Sequence, residues 1–489
     1  MPYIGNPPAE KYASYDVQHI TTSATSSYVL DKNVANENEI RVVLNNVIQQ
    51  PGSSYAYTAS GNTLTLSAAT TSSDKLYVVF TGKAVQTVTP PPSSVGLAQF
   101  NATGSPGTNT FLRGDNSWAT PSDIDTDTVR PNAQALIING SMNVAQRSAN
   151  ATGLTSSGYK SIDRFYTTLY YTSSNVGTFT QSQSTDVPTG YGFANSLKMD
   201  CTTAQGSLPA SGQIAIRQSI EAQDLQLLKF GTANAEKFTI AFWVKSNLTG
   251  TYNVSLYNQD GGSTPQVNAQ YSISSANTWE KKVLVFPADT SNGFNDDNGP
   301  GLTIDWLMGT GSTYTGGTAP TTWSAFVNNT FNGGSTVNMA SSTSNEWLIT
   351  GIQMEVGEYT SATIPTFQFE TFGSNLLRCQ RYFRSYGGGD AYEQVSVGYT
   401  TGSQGSTFID FSSPVMRAAP TMSLGTIGNW KIYSNGVSYV CSGNPGASDP
   451  TPRNMKLLTD HASGATAGFG AMLQANGTTN ARLTLSSEL

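Results

Sequence analysis

The stretch Glu236-Lys237-Phe238-Thr239-Ile240-Ala241-Phe242-Trp243-Val244-Lys245-Ser246 decides the fold class. Phe238, Ile240, Phe242 and Val244 fall on one side, and Thr239, Ala241, Trp243 and Lys245 on the other, which is the period of two of a β-strand. The same alternation recurs outward in IAIRQSI (214–220), GTYNVSLYN (250–258), TWEKKVLVF (278–286), GLTIDWLM (301–308) and NEWLITGIQMEVG (345–357). Gly, Asn, Asp and Ser clusters bound each run, so residues 133–386 are expected to form a two-sheet sandwich. One segment, ETFGSNLLRCQRYFRSY (370–386), has apolar residues at roughly helical spacing and equally fits a strand leaving the sandwich.

Composition agrees. Charged residues make up 12% of the 489. Such a surface is built from Ser, Thr, Asn, Gln, Gly and Tyr, which suit strands and turns rather than solvent-facing helices. All-β is the expected class. A net charge of −7 and a pI near 4.9, with no basic run, argue against nucleic-acid binding. No apolar window is long enough to span a bilayer, and MPYIGNPPAEKY lacks the regions of a signal peptide. The expectation is a chain made in a cytosol, without membrane insertion. Cys201, Cys379 and Cys441 are widely spaced and read as buried thiols rather than a disulfide or zinc framework.

Residues 1–86 read as a small β-domain. RVVLNNVIQQPGSSYAYTASGNTLTLSAATTSSDKLYVVF (41–80) is strand, turn, strand, turn, strand, with Pro51-Gly52 and Gly61-Asn62 as punctuation. Residues 87–132 are rich in Pro, Gly, Ser, Thr and Asn and read as an extended linker, stiffened at Pro90, Pro91 and Pro92. Phe100, Leu112 and Trp118 are isolated apolar residues suited to packing against copies of the same segment. After Gly387-Gly388-Gly389, a hinge by composition, residues 387–489 read as six short strands of a C-terminal β-domain.

Several of these phrases resemble bacteriophage tail-fibre sequences. Leu44, Asn45, Asn46, Gln49, Pro51, Gly52, Tyr55, Leu64, Leu66, Asp74 and Tyr77 match a module recurring in tail fibres, and TFLRGDNSWAT (110–120) resembles a spacer phrase found there. Its Arg113-Gly114-Asp115 is therefore read as spacer rather than adhesion motif. The order NGSMNVAQRS, Tyr159-x-x-x-Asp163-Arg164-Phe165, FTIAFWVKS, TWEKKVLVFPADT, FNDDNGPGLTIDW, WLITGIQMEVG and LLRCQRYFRSY is similar to a jelly-roll domain of phage tail proteins related to carbohydrate-binding modules. The resemblance covers about 250 residues. It implies a virion structural protein, a homotrimer, attached by its N-terminal domain to tail or adaptor proteins and binding a host surface polysaccharide during adsorption. No cofactor follows from it. A tailspike that depolymerises glycan and a head fibre that decorates the capsid are the alternatives.

The chemistry visible in the sequence is sparse. His19 and His461 are the two histidines, with no nucleophile-elbow motif beside either, and His461 in TDHASG reads as a solvated loop residue. Asp296 and Asp297 in FNDDNGPG form the densest acidic cluster; a turn, a Ca²⁺ site and a glycosidase pair are the readings open to them. Sugar binding uses aromatic faces beside polar, uncharged side chains. Trp243 is either a platform or a residue covered by a neighbouring loop. Trp323, in a loop-like context, and Trp430, Tyr433 and Tyr439, on one hairpin, complete the glycan-contact candidates. Trp306 and Trp347 alternate with apolar neighbours and read as core.

Overall fold

The computed structural model describes residues 15–81, 102–105, 107–108, 110–119, 134–443, 446–462 and 464–489. The chain is all-β, and it divides into two compact units, Met1–Asp123 and Ile124–Leu489. The expectations placed on Pro90, Pro91, Pro92 and Phe100 lie outside the described residues.

In the first unit, the strands Asp16–Thr21, Lys75–Phe80, Ile40–Leu44 and Val47–Ile48 pair in that order, and Ser27–Val34 pairs with Tyr57–Leu66. Leu64, Leu66, Leu76 and Val78 project into one core with Tyr28, Val42 and Tyr57. Asn45 and Asn46 turn the chain between Ile40–Leu44 and Val47–Ile48 with φ of 54° and 64°, the left-handed values a tight hairpin needs. Asn45 also ties that turn to the next strand: its Nδ2 donates to Asp74 Oδ1 at 2.7 Å, and Lys75 N donates to its Oδ1 at 2.9 Å. Within the stretch read as linker, Phe111–Leu112 pairs with Trp118–Ala119. Arg113, Gly114 and Asp115 occupy the exposed tip, where Asp115 accepts bonds from Ser117.

The second unit carries the sandwich. Its front sheet has the order Gly158–Tyr159, Tyr166–Tyr170, Gln213–Glu221, Pro300–Thr310, Gly250–Asn258, Gln266–Ile273. Its back sheet has the order Glu280–Phe286, Phe238–Ser246, Glu346–Val356, Ser196–Thr203, Thr178–Ser184, Asn150–Leu154. All pairings are antiparallel. Between the sheets lies a core that includes Ile216, Phe238, Phe242, Val254, Ile304, Trp306 and Trp347. The other face of Phe238–Ser246 is buried too. The segment after residue 356 folds over it, with Tyr359 and Ile364 against Ala241, and Tyr359 N donating to Thr239 Oγ1 at 3.1 Å.

The NGSMNV phrase makes a tight turn beneath the back sheet. Asn139 and Met142 have φ near 60°, Asn139 side-chain atoms bond Val144 and Asp163, and Ile352 N donates to Gly140 O at 3.0 Å. A Cβ on Gly140 would lie 2.2 Å from Ile352 O, so the turn reaches the sheet only with glycine there.

Of the two readings of 370–386, the structure takes both in succession. Thr371 caps a helix, Phe372–Gln380, and the chain then extends as Phe383–Tyr386. That strand pairs with Leu483–Ser486, itself paired with Thr421–Ser423. Facing them is a seven-stranded sheet of order Val437–Val440, Trp430–Ser434, Gly470–Ala475, Gln394–Thr400, Gln404–Asp410, Asn454–Asp460, Gly446–Ser448, with Trp430, Ile432, Leu457, Leu473 and Leu485 between. Gly387-Gly388-Gly389 is a pinned turn rather than a hinge. Glu393 accepts from Gly387 N and Gly389 N, both at 3.1 Å, and Gly387 packs on Ala481 and Trp430.

Candidate functional site

The outer face of the front sheet is where the sandwich stops being apolar. Reading across five strands in register gives Tyr166, Arg217, Asp305, Ser255 and Asn268. Their inward neighbours, such as Ile216, Val254, Ile304 and Trp306, fill the core, so alternation puts the five on the opposite face.

Half of this face is used to hold a loop. Asn253 Nδ2 donates to Asn332 Oδ1 at 2.8 Å, Asn268 Nδ2 to Phe331 O at 2.7 Å and Gln266 Nε2 to Thr330 Oγ1 at 2.6 Å. The loop brings Tyr314, Phe326 and Phe331 down onto Ala215, Tyr257 and Leu307 as a small apolar cluster. A second loop rises beside it, where Ser263 and Thr264 have φ of 64° and 46° and Phe326 N donates to Ser263 O at 3.3 Å.

Where the pinning ends, a cleft of about 490 Å³ opens, lined by Gln213, Arg217, Tyr257, Ser263, Thr264, Phe326 and Phe331. That volume lies within the usual span of small-ligand sites, roughly 300–1,000 Å³. Arg217 Nε donates to Asp305 Oδ1 at 2.8 Å and Nη2 to Oδ2 at 2.9 Å. The guanidinium carbon lies 5.9 Å from the Tyr166 ring centroid and 5.6 Å from that of Tyr257. Burial alone would lower the Arg217 pKa, but the Asp305 carboxylate outweighs it and the net shift is upward. Burial, then the Asp305 charge, pushes the Tyr257 phenol well above its ordinary value, so its hydroxyl stays protonated. The cleft thus combines aromatic walls with hydroxyl, amide and guanidinium groups.

The side chains singled out from sequence lie elsewhere. Trp243 projects from the outer face of the back sheet, across the sandwich from the cleft, and Tyr191 covers it with ring centroids 4.3 Å apart. Of its two readings, cover by a neighbouring loop is the one found. Trp323 is half-buried, its indole N–H donating to Pro287 O at 2.7 Å and its ring meeting Phe230 edge-on at 5.6 Å.

Trp430 is a correction: it is 0% exposed and its indole N–H donates to Leu424 O at 2.8 Å, so it offers a ligand no face. Tyr433 and Tyr439 do not share a platform. Tyr439 pairs with the inward-facing Ile432, packs on the core and donates to Gly464 O, whereas Tyr433 lies on the outer face in register with Met472. His461 is also corrected. It is buried, in a bridge with Cys441, with Nε2 3.3 Å from Thr400 Oγ1, because the segment around it closes onto the sheet instead of looping into solvent.

Asp296 and Asp297 are exposed. Asp297 Oδ1 accepts from Gly299 N at 2.8 Å and its carbonyl from Gln223 N at 2.9 Å, which makes the pair part of a turn. Among the described residues no group of three or more His, Cys, Asp or Glu gathers as a metal site, there or elsewhere. The three cysteines are buried and unpaired.

No family profile matches the chain, and no curated protein does. Solved structures similar to part of it include the enzymatically active domain of tailspike protein 4 of bacteriophage CBA120, at 15% identity and a TM-score of 0.24, over 45% of this chain and 21% of that one. A family 16 carbohydrate-binding module is similar at 13% identity and a TM-score of 0.19, over 36% of this chain and 84% of that one. The module TmCBM61, solved with β-1,4-galactotriose, is similar at 8% identity and a TM-score of 0.21, over 46% and 99%. The chain spans about a fifth of the tailspike structure's length.

The cleft residues were missed because none is a tryptophan and none belongs to a short motif. A signal was present in GLTIDWLM and IAIRQSI: Asp305 and Arg217 each interrupt an apolar strand, and two opposite charges in neighbouring buried strands call for each other.

Proposed function

We propose that the chain is a phage tail-fibre protein that binds a bacterial surface glycan in the cleft over Arg217 and Tyr257, with its N-terminal domain directed to the virion. The observation that carries the binding reading is the cleft itself. Phe326, partly exposed over the buried cluster of Tyr257 and Phe331, offers an apolar surface for a sugar ring, and Gln213, Ser263, Thr264 and Arg217 offer hydrogen-bonding groups beside it. The tail-fibre context rests on the sequence resemblance, as does the homotrimer, which would raise a weak single-site affinity through avidity. Binding is proposed without cleavage. Glycosidases of the usual type place two carboxyl groups across the scissile bond, and no carboxylate is among the seven residues lining the cleft.

The test is binding of the purified full chain to immobilised bacterial surface polysaccharides, with Tyr257→Ala as control. Saturable binding that the variant loses supports the reading. No binding to any polysaccharide by folded protein moves the weight to a head fibre or spacer. Release of reducing ends from a bound polysaccharide would favour the depolymerase. Sedimentation equilibrium tests the trimer, and a monomeric mass at micromolar concentration removes it.

A further inference from the structure

We infer that the cleft selects uncharged saccharides and that Arg217 and Asp305 together set this choice; the inference rests on the proposal that the cleft binds glycan.

Asp305 is wholly buried and both its oxygens are taken by Arg217. Arg217 is the one charged residue of the seven that line the cleft, and its charge is matched by the buried carboxylate of its cross-strand neighbour. The other acid of the Arg217 strand, Glu221, is buried and bound by Arg381 and Tyr382. The site therefore presents no net charge.

A uronate or other acidic sugar would have to draw the guanidinium toward itself. That leaves Asp305 buried without its counter-ion, a loss that opposes the new ion pair. A protonated amino sugar gains little from Asp305, whose two oxygens are already bonded. Sugar hydroxyls fit better, because each donates and accepts. Gln213, Ser263 and Thr264 also do both, and Arg217 Nη1 can donate without releasing Asp305, while the Tyr257 hydroxyl is itself bonded to Asp305. The pair is thus a neutral unit whose guanidinium lies near both the Tyr166 and the Tyr257 rings, at 5.9 and 5.6 Å. Arg217 acts as a specificity-determining residue through its ion pair with Asp305.

The experiment is equilibrium binding of the full chain to matched oligosaccharides that differ in oxidation at C6, glucose against glucuronate and galactose against galacturonate. The neutral member is expected to bind about tenfold or more tightly. Its affinity is expected to stay level as NaCl rises from about 0.05 to about 0.5 M, since no net charge is there to screen. Asp305→Asn leaves Arg217 unmatched and is expected to raise uronate affinity about tenfold, now with salt dependence. Gln213→Lys adds a positive charge at the rim without touching the pair and is expected to shift preference the same way, which covers the case in which the Asp305 variant misfolds. Salt-sensitive preference of the wild-type protein for the uronate member overturns the inference while leaving glycan binding intact. Equal affinity for both members also overturns it. Failure of folded protein to bind either pair in the cleft, when it binds no other glycan, removes the binding proposal and this inference with it.

Discussion

Arg381 grips Glu221 with two guanidinium nitrogens, Nε at 2.7 Å from Oε1 and Nη2 at 2.6 Å from Oε2, and the Tyr382 hydroxyl donates to the same carboxylate. The contact joins the last residue of a front-sheet strand to the link between helix Phe372–Gln380 and strand Phe383–Tyr386. Glu221 is fully buried, so removing its partner strands a charge. Arg381→Ala is expected to cost about 3 kcal/mol, measured by chemical unfolding. Burial raises the Glu221 pKa, but the bonds from Arg381 and Tyr382 outweigh it and hold it below the ordinary value. Its stabilisation is therefore present above about pH 4.5 and is lost as pH falls through the folded-state pKa.

Asp163 does the reverse. It lies in a buried cluster with Arg147, Gln146 and Glu488, and burial, only partly offset by Arg147 and Gln146, pushes it up to about 6. A raised carboxyl favours folding when protonated: its contribution is complete below about pH 3.8 and is lost as pH rises through about 6. Asp163→Asn is expected to remove that slope, so that variant and wild-type melting temperatures diverge between about pH 4 and 7, with the wild type falling faster. Parallel curves would contradict this.

The sandwich was legible because its strands alternate cleanly. Phe238, Ile240, Phe242 and Val244 are core, as their spacing requires. The cover on the other face of that strand was not legible, because Tyr191 and Tyr359 come from distant loops whose return path no local pattern specifies. Trp430 misled for a related reason: at the start of a short hairpin strand, nothing nearby shows that Leu424, Leu473 and Leu485 close over it. The cleft is assembled from four separate segments, so its residues look ordinary one at a time.

Trp430→Ala is therefore a stability variant. It empties a fully buried indole site and is expected to cost about 3–5 kcal/mol. Calorimetry of the full chain reads the loss. A stable Trp430→Ala protein that fails to bind glycan would contradict the assignment.

In the N-terminal domain, Asn45→Ala removes two side-chain hydrogen bonds and leaves a residue with a Cβ at φ of 54°. A cost of about 1–3 kcal/mol is expected. Amide hydrogen exchange at Leu44 and Val47, the pair flanking the turn, should quicken before exchange at Val78 in the core.

Glycan affinity of Tyr257→Ala and Trp243→Ala, measured side by side with wild-type protein on one bound polysaccharide, tests the central claim most directly. Tyr257 walls the cleft on the front sheet, and Trp243 sits under Tyr191 on the back. Loss of about tenfold or more in Tyr257→Ala, with Trp243→Ala within about twofold of wild type, is the predicted result. The opposite ranking, with both variants folded, would place the binding face on the back sheet and contradict the account.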